Sequence, residues 1–185
     1  MIQKKKLVKG CQNVNLEIGF GIGENLIFQS QIKKKDIFLA IDPFISGGLK
    51  LKKNIEILEI SNIFFSNVTF SQFFEIVGDV NFKKIFILFP DPWPKIRHKK
   101  RRLINEEFVK NLDKITLKYS EILVVTDDED YSNQILKSFS KQNLFKLLLK
   151  TSDSQIFQYY KIYPTTYYRK AKRENRIINL FIYQK

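Results

Sequence analysis

Short, nearly uninterrupted apolar runs recur along the chain, and segments of helical length and pattern separate them. Val14 to Ile18, Ile37 to Ile41, Ile63 to Phe65, Ile85 to Phe89, Ile122 to Val125 and Leu144 to Leu149 each have the length of a strand. Runs that are apolar at consecutive positions suit strands covered on both faces. Helices are predicted between them over Glu24 to Gln31, Gly48 to Lys53, Phe70 to Val77, Asn105 to Lys118 and Asp130 to Ser140. This alternation predicts a parallel, doubly wound α/β sheet. Ile177 to Tyr183 reads as a seventh strand that follows a basic, Tyr-rich segment with no obvious helix, and it is expected to enter the sheet antiparallel. With no internal repeat, low-complexity linker or domain boundary, a single domain over residues 1–185 is expected.

Composition narrows the partners. A hydrophobic fraction of 44% with 14% aromatics supplies a core and excludes global disorder. The net charge of +13 points to a polyanion, with nucleic acid ahead of an anionic membrane surface. No apolar run approaches the roughly 18 to 20 residues of a membrane span, and the first residues lead into no signal-peptide core, so a cytoplasmic protein is expected. Cys11 and His98 are the sole Cys and His, so no zinc cluster can be assembled from them and no metal is expected. All six Arg fall in two segments, Arg97, Arg101, Arg102 and Arg169, Arg173, Arg176, whereas Lys is spread along the chain. A planar five-donor fork kept to two places suggests phosphate gripped there in fixed geometry.

In an open parallel sheet, ligands bind at the carboxyl ends of the strands. The first predicted strand ends in Leu16-Glu17-Ile18-Gly19-Phe20-Gly21-Ile22-Gly23. Glycines in such a turn let the backbone approach a ligand closely. The spacing of Gly19, Gly21 and Gly23 departs from the dinucleotide pattern, and with Glu17 it becomes E-x-G-x-G-x-G. That motif resembles the nucleoside-binding turn of Rossmann-like S-adenosylmethionine-dependent methyltransferases. A carboxylate there favours a ligand carrying ammonium and sulfonium groups and repels a pyrophosphate. Asp42, at the end of the second strand, is placed to accept from the two hydroxyls of a ribose.

After the fourth strand, Phe89-Pro90-Asp91-Pro92-Trp93-Pro94-Lys95 holds three of the five prolines and the single Trp. Proline fixes φ, so this loop is stiff and holds Asp91 in one place. Lys95, Arg97, Lys99, Lys100, Arg101 and Arg102 follow as a cationic cradle beside that carboxylate.

The Pro-rich segment with Arg97-His98-Lys99-Lys100-Arg101-Arg102-Leu103, together with the glycine turn and Thr126-Asp127, resembles the signature of the bacterial tRNA (guanine-N7-)-methyltransferases, the TrmB type. The resemblance runs from about Asn15 to the C-terminus. It implies a class I methyltransferase fold with a mostly parallel seven-stranded sheet, S-adenosyl-L-methionine as cofactor, tRNA as partner, and methyl transfer to N7 of a guanine in the variable loop, position 46 in tRNA counting. The family's cofactor positions fall on Glu17, Gly19, Gly21, Gly23, Asp42 (usually Glu), Asn67 and Asp91. Its substrate positions fall on Lys95, Asp127, Thr165 and Tyr168, where Tyr168 replaces a Glu. The extension usual before the first strand is nearly absent.

Guanine N7 carries a lone pair and no proton, so it can displace a sulfonium methyl in line without a general base. Position and field are then what the protein supplies. Asp91 is the expected catalytic carboxylate, and Arg97, Arg101, Arg102, Arg169 and Arg173 are the expected phosphate contacts. Two alternatives stand beside this: a methyltransferase acting on another RNA or a protein with an acidic surface, and a tRNA-binding protein with weak or lost catalysis.

Overall fold

A computed structural model describes residues 13–78 and 80–185; Cys11 lies outside them. The elements in chain order are β1 (Val14–Ile18), α1 (Glu24–Ile32), β2 (Ile37–Ile41), α2 (Ile45–Ile57), β3 (Ile63–Ser66), α3 (Phe70–Val77), β4 (Phe82–Leu88), a 3-10 helix (Ile96–Arg101), α4 (Glu106–Lys114), β5 (Thr116–Thr126), α5 (Glu129–Gln142), β6 (Lys146–Thr151), α6 (Ser154–Tyr159), α7 (Thr166–Arg173) and β7 (Asn179–Gln184). They build a seven-stranded sheet in the order β3-β2-β1-β4-β5-β7-β6. β1 to β5 pair in parallel, and β7 runs antiparallel to both β5 and β6. The expected doubly wound sheet and its reversed last strand are therefore both present.

Alternate side chains of each central strand enter different cores. Ile85 and Ile87 of β4 join Phe73, Phe108, Leu112 and Phe139 beneath α3, α4 and α5. Phe86 and Leu88 face the other way, toward Phe157, Ile162, Ala171 and Ile178 of the C-terminal segment. A third cluster seats Leu26 of α1 and Leu51 of α2 on Phe38 and Ala40 of β2. Two covered faces are why these strands read as continuous apolar runs.

Several boundaries differ from the sequence expectation. The helix expected from Gly48 begins at Ile45, and both glycines lie in its first turn. A Cβ on Gly47 would stand 2.0 Å from the Gly21 carbonyl oxygen, so close approach to the glycine turn explains the residue. The helix expected to reach Lys118 stops at Lys114, because the Ile115 carbonyl accepts from Phe82 N and Thr116 already pairs with Phe82. The segment before β7, expected to lack helices, forms α6 and α7, capped by the Asp153 carboxylate and the Thr165 hydroxyl.

The reversal of β7 has a consequence for the site. Thr126 pairs with Asn179, so β7 starts at the carboxyl end of the parallel strands. The chain from Tyr163 to Ile178 must reach that end before it turns into the sheet, and it brings Thr165, Tyr167 and Arg176 to the strand ends where ligands bind.

Candidate active site

The strand order turns about β1 and β4, so the loops leaving these two neighbours open a crevice. The glycine turn is on one side. Gly21 and Gly23 have φ of 57° and 83°, which a side chain would strain. Gly19 N donates to Ile41 O at 2.7 Å, and a Cβ on Gly19 would find nothing within 4 Å, which leaves open room over the turn. Asp42 braces this turn. Its Oδ2 accepts from Gly21 N at 2.7 Å and its Oδ1 from Phe44 N at 2.8 Å. Each oxygen retains a lone pair for a hydroxyl. Asn67 donates to the Asp42 and Phe44 carbonyls at 3.0 and 3.1 Å, and its Oδ1 lies against Gly48, 2.3 Å from where a Cβ there would stand.

Glu17 lies beneath the turn, only 3% exposed. Burial pushes its carboxyl up to about 8, against which the Asn25 amide bond works downward while Asp42 adds to the rise. Asn25 Nδ2 donates to Glu17 Oε2 at 2.9 Å. A buried acid with no cationic partner among the described residues suits a ligand that brings a positive charge.

Across the crevice, the loop after β4 carries Asp91, exposed at the strand end. Phe89 and Trp93 flank it with φ of 52° and 42°, left-handed conformations that non-glycine residues hold at a cost of about 1–3 kcal/mol each. Phe89 N donates to Val125 O at 2.8 Å, and the Trp93 ring lies under the Arg101 guanidinium at 5.0 Å and edge-on to His98 at 5.8 Å. Prolines and the Trp93 ring, set between Arg101 and His98, thus stiffen the loop that carries the carboxylate.

The basic residues do not share one fate. Lys95, Arg97, Arg101 and Arg173 are exposed. Arg102, expected on phosphate, is corrected: it is 3% exposed and points inward. Its Nε donates to the Pro92 carbonyl at 2.6 Å, its Nη1 to Gln134 Oε1 at 2.8 Å, and its Nη2 meets Asp130 Oδ2 at 2.6 Å. Arg169 is half-exposed, and its Nη2 is paired with Glu24 Oε1 at 2.6 Å and donates to Thr166 Oγ1 at 3.0 Å. It clamps α7 to α1, and this pairing competes with the expected phosphate contact.

Asp127, half-buried after β5, is held by Arg176 Nη1 at 2.5 Å. Thr165 is buried, and its Oγ1 accepts from Tyr168 N at 3.3 Å as the cap of α7. The Tyr168 ring packs on Phe157 at 5.5 Å, part of the core under the sheet. The exposed aromatic is its neighbour Tyr167, 59% exposed, whose ring stacks on Phe89 at 6.3 Å and 23°. Its Cε2 lies 3.9 Å from where a Cβ on Gly21 would stand, so the ring spans the two sides of the crevice. Nothing in the residue type distinguished Tyr167 from Tyr168; only the phase of α7 does. Asn25 was likewise not among the expected site residues, and Arg176, grouped with the arginines expected on phosphate, pairs with Asp127 instead.

A hollow of about 290 Å³ lies at the opposite ends of the strands, lined by Asn15, Asp36, Lys84 and Glu121 among others. Its walls satisfy one another, Asn15 donating to Asp36 at 3.1 Å and Lys84 pairing with Glu121 at 3.1 Å. Among the described residues no group of three or more His, Cys, Asp or Glu is placed to hold a metal ion. No helix among them is long and apolar enough to cross a membrane.

A doubly wound sheet with one reversed strand, and a glycine turn facing a rigid Asp loop, define the class I methyltransferases. Solved structures agree on the fold: the 16S rRNA methyltransferase KamB superimposes with a TM-score of 0.68 at 11% identity, covering 97% of this chain and 90% of that one. A Streptococcus mutans protein determined in complex with SAH gives 0.63 at 14% identity, covering 95% and 89%. The family model described as "Putative methyltransferase" matches residues 11–180. The tRNA (guanine-N(7)-)-methyltransferase of Wolbachia pipientis wMel is 36% identical over 177 residues, covering 96% of this chain and 77% of its own. The enzyme of that name from Neorickettsia sennetsu is 33% identical, covering 88% and 79%. The chain belongs to the tRNA (guanine-N(7)-)-methyltransferase family.

Proposed function

We propose that this chain transfers a methyl group from S-adenosyl-L-methionine to N7 of a guanine in the variable loop of tRNA, position 46. The observation that carries the reading is the facing of the E-x-G-x-G-x-G turn and the rigid Pro-Asp-Pro loop across the β1–β4 switch point. The residues present fit the cofactor: a buried acid short of a cation at Glu17, an aspartate at the ribose position, an amide at Asn67, and open room over Gly19. When bound, the cofactor supplies an electrophilic methyl group on sulfur.

The chain's own work is positioning and field. Asp42 and Asn67 orient the nucleoside, and Glu17 favours the cationic methionine end. Asp91 sets a negative charge, held by the stiff loop, near the ring where positive charge develops, and so stabilises the transition state. Asp127, oriented by its ion pair with Arg176, accepts from the guanine edge. Tyr167 offers its open face for the base to stack on, as extruded bases do on aromatic side chains. Thr165 and Lys95 complete the substrate side, while Tyr168 supports α7 from beneath. Arg97, Arg101, Arg173 and Lys95 take the phosphates. A cytoplasmic location suits this substrate.

The test is methyl transfer to unmodified tRNA followed by nucleoside mass spectrometry: 7-methylguanosine at position 46 is expected, and another methylated nucleoside would replace the reading.

A further inference from the structure

Helix α1 starts where the glycine turn ends, and it buries polar side chains that an ordinary core helix would replace with Leu or Ile. Asn25 is 1% and Gln29 2% exposed. A buried amide is costly unless its groups are bonded. All the partners of this face lie either in the cofactor site, within the helix, or in one distant stretch of chain. Asn25 Nδ2 donates to Glu17 Oε2 at 2.9 Å, while its Oδ1 accepts from Tyr163 N at 3.2 Å and Gln29 Nε2 at 3.4 Å. Gln29 Nε2 also donates to the Lys161 carbonyl at 2.5 Å. Glu24 Oε2 accepts from Thr166 N at 2.6 Å and its Oε1 pairs with Arg169 at 2.6 Å. Phe28 packs on the Tyr163 ring at 5.4 Å. Residues 161–169, which carry Thr165 and Tyr167, are thus tied along one face of the helix that touches the cofactor acid.

We propose that Asn25 is a positioning residue that couples the two halves of the site: filling the cofactor crevice tightens the 161–169 segment, and seating RNA on that segment tightens the cofactor. The proposal rests on the function above. One amide bridges both halves, so its hydrogen bonds to Glu17 and from Tyr163 polarise each other. A cationic ligand beside Glu17 favours its carboxylate form, and a hydrogen bond to a carboxylate is roughly twice as strong as one to a neutral acid. The Asn25 amide is then held harder toward Glu17 and its Oδ1 becomes the better acceptor for Tyr163 N. Burial raises the Glu17 carboxyl and Asp42, the charged group that acts on it, adds to the rise, so a positive ligand charge is what favours its carboxylate form. By linkage, the effect of cofactor on RNA affinity must equal that of RNA on cofactor affinity.

The experiment is amide hydrogen exchange of the full chain with and without S-adenosylhomocysteine, joined to calorimetry of S-adenosylhomocysteine with and without unmodified tRNA. In the wild type, S-adenosylhomocysteine should slow exchange at Tyr163 and Thr166 by about fivefold or more, and tRNA should tighten it by about the same factor. In Asn25→Leu both effects should fall below about twofold, as the coupling range implies. A structural role alone would lower melting temperature and leave the ratio unchanged. If Asn25→Leu does not fold, the wild-type exchange decides: unchanged amides at 163 and 166 with the ligand bound overturn the proposal. A chain that methylates guanine yet shows no such slowing refutes the coupling alone. Slowing without tRNA methylation refutes the proposed function and keeps the coupling.

Discussion

Arg102 donates through Nε to the carbonyl oxygen of Pro92 at 2.6 Å, from inside the protein. The same guanidinium reaches Gln134 and Asp130 of α5, the helix that follows Asp127. One side chain therefore ties the Asp91 loop to the helix leaving Asp127. Arg102→Lys cannot reproduce this planar fork. It should lower stability by on the order of 2–3 kcal/mol, by stranding the Pro92 carbonyl and the Gln134 amide. Turnover should fall with it, while the salt dependence of tRNA affinity stays unchanged. Removing Arg97 and Arg101 together should do the reverse, lowering tRNA affinity and reducing the slope of log affinity against log salt by roughly 0.7 to 0.9 for each lost phosphate contact. Equal slopes for both variants would contradict the division.

Glu17 predicts a pH dependence with a definite sign. Its folded carboxyl sits at about 8, above its ordinary value of 4.5, so the folded chain holds a proton that the unfolded chain has lost. The stability this represents is complete below about 4.5 and disappears as pH rises through about 8. Without cofactor, melting temperature should drop between pH 5 and pH 9. Glu17→Gln should flatten that drop and be the more stable protein at pH 9, by on the order of a few kcal/mol, yet bind the cofactor more weakly. A parallel fall in both proteins would assign the dependence elsewhere.

Asp91→Asn conserves shape and removes charge. The single-turnover rate should fall by about 100-fold or more, the range for losing one electrostatic stabiliser of a transition state. Affinity for tRNA should change little. A rate close to wild type would place the stabilising charge on another residue.

The two neighbouring tyrosines should separate cleanly. Tyr167→Phe keeps the stacking ring, whereas Tyr167→Leu removes it and should cost about tenfold in kcat/KM, as stacking of one base implies. Tyr168→Glu would set a carboxylate against Phe157. It should act mainly by lowering the melting temperature. If Tyr168→Glu leaves stability intact and Tyr167→Leu leaves kcat/KM intact, the roles assigned to α7 are reversed.

Legibility followed the range of the interactions. β1 and β2 were readable to the residue because each is an apolar run closed by its own turn or acid. The glycine turn and the loop that carries Asp91 were readable as features of strand ends because their residues are consecutive. α6 and α7 were not, since each has few apolar positions and anchors by Phe157 and Ala171 on distant strands. Arg102 looked like one more member of a charge run, and only its partners 28 and 32 residues later, Asp130 and Gln134, turn it inward. Asn25 is opaque for the same reason: Tyr163 is 138 residues away.

Methyl transfer is tested most sharply by following a labelled methyl group from S-adenosylmethionine into two unmodified transcripts of one tRNA, with guanine or adenine at position 46, and mapping the product by nucleoside mass spectrometry. The expected result is 7-methylguanosine at position 46 in the first transcript and no label in the second. Equal labelling of both, or methyl on any atom other than guanine N7, would contradict it.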